Sequence, residues 1–143
     1  MNKIILLAAL FAVFLVSGCI DNEPTVSPTE QVYNFASSYD TRSYDTCYQM
    51  MTSDYQDKHP FANFIDGCKA LDSDEYQFIG ATKEYINDDT AIVDVQYNQT
   101  RESLDISWSG IGTEIVTETK EDEVKLVNER GEWKFTVFPV IVV

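Results

Sequence analysis

The sequence predicts an α+β fold, with N-terminal helices covering one face of a curved antiparallel sheet, preceded by a signal peptide. Three observations predict it. Apolar residues recur at helical spacing between Val32 and Leu71. From Asp74 onward the period changes to two. Ahead of both stands an apolar run, Ile4–Val16, with one positive charge before it at Lys3. The chain has 143 residues, enough for one domain after such a leader. Aromatics reach 13%, which excludes a disordered chain. The formal net charge is −14. A surface that acidic repels phosphate, so sequence-independent nucleic-acid binding is excluded and docking on anionic headgroups is disfavoured.

The leader occupies residues 1–18. Its apolar run is too short to cross a hydrocarbon core of ~30 Å comfortably, and it matches the apolar region of a signal peptide. Leu15-Val16-Ser17-Gly18-Cys19 follows directly. This resembles the lipobox of prokaryotic lipoproteins, an aliphatic residue and small residues before the cysteine that takes the lipid. The resemblance implies cleavage before Cys19, a diacylglycerol thioether on its sulfur, and a chain anchored on the extracytoplasmic face of the cell membrane. Residues 19–28 hold Pro24 and Pro28 among polar neighbours and read as a short tether. Residues 29–143 form the single domain.

With Cys19 lipidated, Cys47 and Cys68 remain as an even pair outside the reducing cytosol. That favours a disulfide closing a loop of about twenty residues, worth ~3 kcal/mol by chain entropy. Two buried free thiols are the alternative. Zinc spacing is absent: there is one histidine, His59, and no CxxC. No metal or cofactor is implied.

The first helix starts at Ser27-Pro28-Thr29-Glu30, with a capping serine, proline at the first helical position and glutamate three after the cap. Val32, Phe35, Ala36 and Tyr39 give its apolar stripe. Asp40–Ser43 breaks the pattern. Tyr44, Cys47, Tyr48 and Met51 restart it as a second short helix, and Thr52-Ser53-Asp54 interrupts again. Phe61, Phe64, Ile65, Cys68 and Leu71 form a third stripe after His59-Pro60. Both cysteines then fall on inward helix faces.

Strands follow. Glu75–Ile86 is strand-like with Gly80 as a bulge, and Asn87-Asp88-Asp89 is a turn. Thr90–Asn98 alternates Ala91, Val93, Val95 and Tyr97 with polar residues, so Asp94 should face solvent. Leu104, Ile106 and Trp108 alternate likewise, Ser109–Gly112 reads as a loop, and Thr113–Thr119 as a further strand. Val124–Val127 and Glu132–Phe138 make a hairpin around Asn128-Glu129-Arg130-Gly131, and Val140–Val143 is a last strand or a tail.

This order of elements, with Val32–Asp40 as opening helix and the Trp133-Lys134 pair after the glycine turn, resembles the nuclear-transport-factor-2-like (cystatin-like) cone of small secreted prokaryotic lipoproteins. The resemblance implies a cone whose interior serves isomerase or dehydratase chemistry or binding in some members, while others are interaction modules. The isomerase type needs a buried acid and a tyrosine. No base matches here, so no catalytic residue is carried over. Candidate pocket or core aromatics are Phe35, Tyr39, Tyr97, Trp108 and Trp133, with Tyr48, Phe64 and Phe135 beside them. His59 sits at a helix start and reads as exposed. Asp88-Asp89 lacks the calcium-loop pattern and reads as a turn. Glu118–Glu123 reads as a solvated edge strand kept from aggregating by charge. Asn98-Gln99-Thr100 is a glycosylation sequon, relevant where exported proteins are glycosylated.

Two function classes follow. One is a non-catalytic module that holds an apolar small molecule or a basic partner protein at the cell surface. The other is a cone-fold enzyme acting on a small extracellular substrate. A purely structural envelope protein is a third. A cone filled by Phe35, Val93, Trp133 and Phe135 speaks against the enzyme, and a buried acid in an open cone speaks for it.

Overall fold

A computed structural model of the chain describes residues 23–70, 76–107 and 110–139. The leader, Cys19, Trp108 and the run Val140–Val143 lie outside the described residues. The architecture is α+β. Helices α1 (Pro28–Asp40), α2 (Tyr44–Gln49), α3 (Ser53–Lys58) and α4 (Phe61–Ala70) precede strands β1 (Tyr76–Asn87), β2 (Thr90–Ser107), β3 (Gly110–Glu129) and β4 (Glu132–Phe135). The strands form one open, curved sheet in the order β1-β2-β3-β4, every neighbour antiparallel.

Helix α1 begins as its sequence dictates. Ser27 Oγ accepts from the Glu30 N–H at 3.1 Å. A second orphan donor, the Thr29 N–H, reaches Glu84 Oε2 on β1 at 2.7 Å, which fixes the helix end against the sheet. The helix stops where Arg42 turns into the left-handed region at φ 59°. Its whole stripe, Val32, Phe35, Ala36 and Tyr39, is buried.

Helix α3 corrects the reading of residues 52–54 as a simple interruption. Thr52 ends one turn and caps the next, its Oγ1 accepting from the Tyr55 N–H at 3.2 Å. No residue of α3 is buried, so it carries no apolar stripe to read. Segment 50–52 also lies along β4. The Phe135 N–H donates to Met50 O at 2.9 Å and the Thr52 N–H to Phe135 O at 3.0 Å, which closes the end of that short strand's outer edge.

The strands are fewer and longer than expected. Thr90–Asn98 and Leu104–Trp108 fuse into β2, and the two segments between Thr113 and Val127 fuse into β3. No glycine or proline separates the pieces, so pairing continues through polar residues once a partner strand is present. Ser109–Gly112 is not a four-residue loop: pairing runs to Ser107 opposite Gly110. The last strand ends at Phe135 rather than Phe138, and Phe138 folds back over the helices. Gly80 does sit at a bulge, with register shifts on both sides of it. The Tyr33 phenol explains the glycine, because a Cβ on Gly80 would meet that oxygen at 3.1 Å.

The core lies between the helices and one face of the sheet. Ala91, Val93 and Val95 of β2, Val124 and Leu126 of β3, and Trp133 and Phe135 of β4 meet the α1 stripe, Cys47, Met51, Phe64 and Cys68. Asp94 is on the opposite face, paired with Lys83 and Glu123. Strand β1 covers β2 as far as Gln99, and β4 covers β3 only from Leu126 to Glu129. Beyond these limits Thr100–Ser107 and Gly110–Thr117 pair only with each other among the described residues. At about 3.4 Å per residue the β2–β3 hairpin therefore projects as an arm of roughly 25 Å.

The β3–β4 turn places Arg130 at φ 58° and Gly131 at φ 86°. Both central residues of this two-residue turn need the left-handed region, which suits Asn-Gly and strains arginine. Arg130→Asn should stabilise the domain by about 0.5–1 kcal/mol, read as a higher urea midpoint at unchanged m.

Candidate functional site

The interior the sequence marks as a possible pocket is filled. Phe35, Val93 and Phe135 are 0% exposed, Tyr39 3% and Trp133 5%. The Phe35 and Phe135 rings lie 4.8 Å apart, centroid to centroid. Phe138 closes the layer over Phe35, Phe64 and Tyr39 at 5.8, 5.5 and 6.1 Å. Among the described residues the only fully buried polar or charged residue is Thr52. Phe35, Tyr39 and Trp133 are therefore core residues. Tyr39 Oη donates to Cys68 O at 3.0 Å, which spends its polar end on the fold. Tyr97 stands at the edge of the core beside Tyr76, at 6.0 Å. Burial, and then Asp122, push its phenol above the ordinary value.

Cys47 and Cys68 are both buried, as their helix positions predict, and the structure holds both as free thiols. The bridge expected between them is not present in it. Burial first, and then Cys68, push the Cys47 thiol up to about 12. Burial pushes Cys68 up to about 11. Burial of this kind disfavours the reactive thiolate at neutral pH.

His59 is exposed, as expected, and ends α3, its ring stacked on Tyr55 at 4.3 Å. It borders a cavity of 260 Å³ lined by Tyr55, Asn63, Phe64, Cys68 and Phe138. Burial favours the protonated thiol there, and among the described residues no hydrogen bond joins His59 to Cys68. A wider depression of 980 Å³ lies at the turn end of the sheet, between Pro24, Val26, Asp88, Arg130 and Trp133. Asp88-Asp89 is the expected turn. Among the described residues no group of three or more His, Cys, Asp or Glu is arranged to hold a metal ion. Asn98 lies mid-strand, paired on both sides with Gln77 and Thr119, and its Oδ1 accepts from Thr119 Oγ1 at 3.0 Å.

The charged feature of the surface is the arm and its root. Arg101 and Lys120 both converge on Glu118, at 3.1 and 2.7 Å. Lys120 first, and then Arg101, hold that carboxyl below the usual range. Glu121, Asp122 and Glu123 have no cationic partner among the described residues, and Glu121 takes only the Gln96 amide at 2.7 Å. The acidic stretch thus lies on a strand edge, as its sequence predicts. The length of the arm was not legible, and Trp108 lies outside the described residues.

Residues 23–28 and the arm are at opposite ends of β2 and β3. Residues 23–28 border the depression by the 88–89 and 130–131 turns, while Ser107 and Gly110 close the far end. No known protein-family model matches the chain, and no curated protein matches it.

Proposed function

We propose that this chain is an extracytoplasmic lipoprotein, anchored through Cys19, whose nuclear-transport-factor-2-like domain is a non-catalytic interaction module acting through its surface. The observation that carries this reading is the filled interior. With Phe35, Val93, Trp133 and Phe135 occupying the space a ligand or substrate would take, recognition falls to the outside. That outside is acidic, with Glu121, Asp122 and Glu123 unpaired with any cation among the described residues, so the partner is basic and its attachment weakens with salt. Anchoring at residue 19 would hold the turn end toward the membrane and direct the arm outward. In the oxidising compartment Cys47 and Cys68 join as a disulfide, at the cost of a local shift of α2 against α4.

The full chain expressed in bacteria should partition into the detergent phase, and Cys19→Ala should lose that partitioning. A photo-crosslinker at position 122 should capture a basic protein, with the yield falling about tenfold between low and high salt. Unchanged partitioning of Cys19→Ala with the leader still removed defeats the anchor. Turnover of a small carbonyl or ester substrate, abolished by one Asp, Glu, Tyr or His substitution that leaves the fold intact, defeats the non-catalytic reading.

A further inference from the structure

The arm's free edge carries an inference that does not depend on the basic partner. Strand β3 has no neighbour on its outer side from Gly110 to Val124 among the described residues. Its pairing with β2 is unbroken in register from Thr90–Val127 to Ser107–Gly110, so no bulge twists that edge away. Protection by charge is confined to the proximal part, Glu118–Glu123. The distal part, Gly110-Ile111-Gly112-Thr113-Glu114-Ile115-Val116-Thr117, has one charge, no proline and a run of β-branched residues. A long, regular edge with a single charge is a template for strand addition. Ile115 is 71% exposed on it, the most exposed large apolar side chain among the described residues.

We infer that this edge pairs with the same edge of a second copy of the chain, antiparallel about a two-fold axis at Ile115. The sequence is self-complementary in that register. Ile115 lies opposite its own copy, Thr113 opposite Thr117, Glu114 opposite Val116, Gly112 opposite Glu118 and Gly110 opposite Lys120. No acid faces an acid. Glu121, Asp122 and Glu123 fall past the end of the partner's strand, so the densest charge stays outside the shared ladder. A basic partner would find only Glu114 along the distal edge, whereas a second copy matches β-branched residues with β-branched residues, the pairs that stabilise a sheet. Two arms paired in this way form a four-stranded ribbon, and the projecting hairpin gains the neighbours it otherwise lacks.

The test is zero-length cross-linking of the full chain in its membrane. Directly opposed residues have Cβ atoms about 4.5–5.5 Å apart, close enough for a disulfide after a small adjustment. On mild oxidation Ile115→Cys should give a band of twice the monomer mass. Tyr85→Cys, 56% exposed on the outer face of β1, should stay monomeric. Adding Thr117→Pro to Ile115→Cys should reduce the linked fraction at least fivefold, because Thr117, like Lys125, turns its N–H to the outer side of β3 and proline removes that donor. In unmodified protein, sedimentation in detergent should show a dimer that Ile115→Lys converts to monomer. Absence of the Ile115→Cys dimer, equal linking of Tyr85→Cys, or linkage of Ile115→Cys to a different protein would each overturn self-pairing.

Discussion

Phe35→Ala should cost the domain about 3–5 kcal/mol, the loss typical of a fully buried ring. Phe35 is 0% exposed and sits where α1 meets β4 and the returning chain, against Phe135 at 4.8 Å and Phe138 at 5.8 Å. Its carbonyl also takes the weak Cys47 thiol contact at 3.8 Å, so the ring lies over the middle of the α1–α2 packing. A domain of this size has about 5–15 kcal/mol of stability in all, so the variant should be near half unfolded in mild urea. Ile115→Ala on the arm should cost well under 1 kcal/mol in the monomer, because that side chain is already 71% exposed. Urea midpoints followed by circular dichroism measure both. A Phe35→Ala cost under 1 kcal/mol would mean that the interior is not packed at this ring, and the pocket-binding reading would regain ground.

The helical layer was legible in the sequence because its signals are local. Ser27-Pro28-Thr29-Glu30 sets the start of α1, and the stripe from Val32 to Tyr39 sets its buried face. Alternation did the same for Ala91, Val93 and Val95. Helix α3 was not legible, since it buries nothing and rests on the Thr52 cap and a Lys58–Asp54 pair at 2.7 Å. Strand length was not legible either. Residues 99–103 and 118–123 are polar on both faces, and only the partner strand decides that they continue the ladder. For the candidate site, the sequence marks which aromatics are inward but not whether space is left between them. That depends on Phe138, whose place over Phe35 and Phe64 follows from the chain reversing after Phe135. The self-complementarity of 110–120 is written in the sequence, but it acquires meaning only once the arm is seen to lack an outer neighbour.

In its reduced form the protein should lose stability steeply as pH rises from about 9 toward 12, and in the disulfide form it should lose much less. Cys47 titrates at 9.0 in its ordinary state and at about 12 when folded. The neutral thiol is the form the fold prefers, because the apolar surroundings and the neighbouring Cys68 oppose the thiolate. Below pH 9 the thiol is protonated in both folded and unfolded chains, and its contribution is fully present. Above 9 the unfolded chain releases the proton and the folded chain does not, which favours unfolding until the folded value is passed. At ~1.4 kcal/mol for each pH unit above 9, the loss from Cys47 by pH 11 is on the order of 3 kcal/mol. Cys68, raised from 9.0 to about 11, adds in the same direction. The phenols of Tyr55 and Tyr97, also pushed up by burial, add to it at the alkaline end. A Cys47–Cys68 disulfide has no thiol to titrate and leaves only the tyrosine contribution. The measurement is the urea midpoint at intervals from pH 7 to 11, with and without reductant, on wild type and on the Cys47→Ala/Cys68→Ala pair. A reductant-dependent alkaline slope that the double variant abolishes would establish both the burial of the thiols and their oxidation. The same slope with and without reductant would show that the pair stays reduced, and a flat profile in reductant would show that the thiols are not buried.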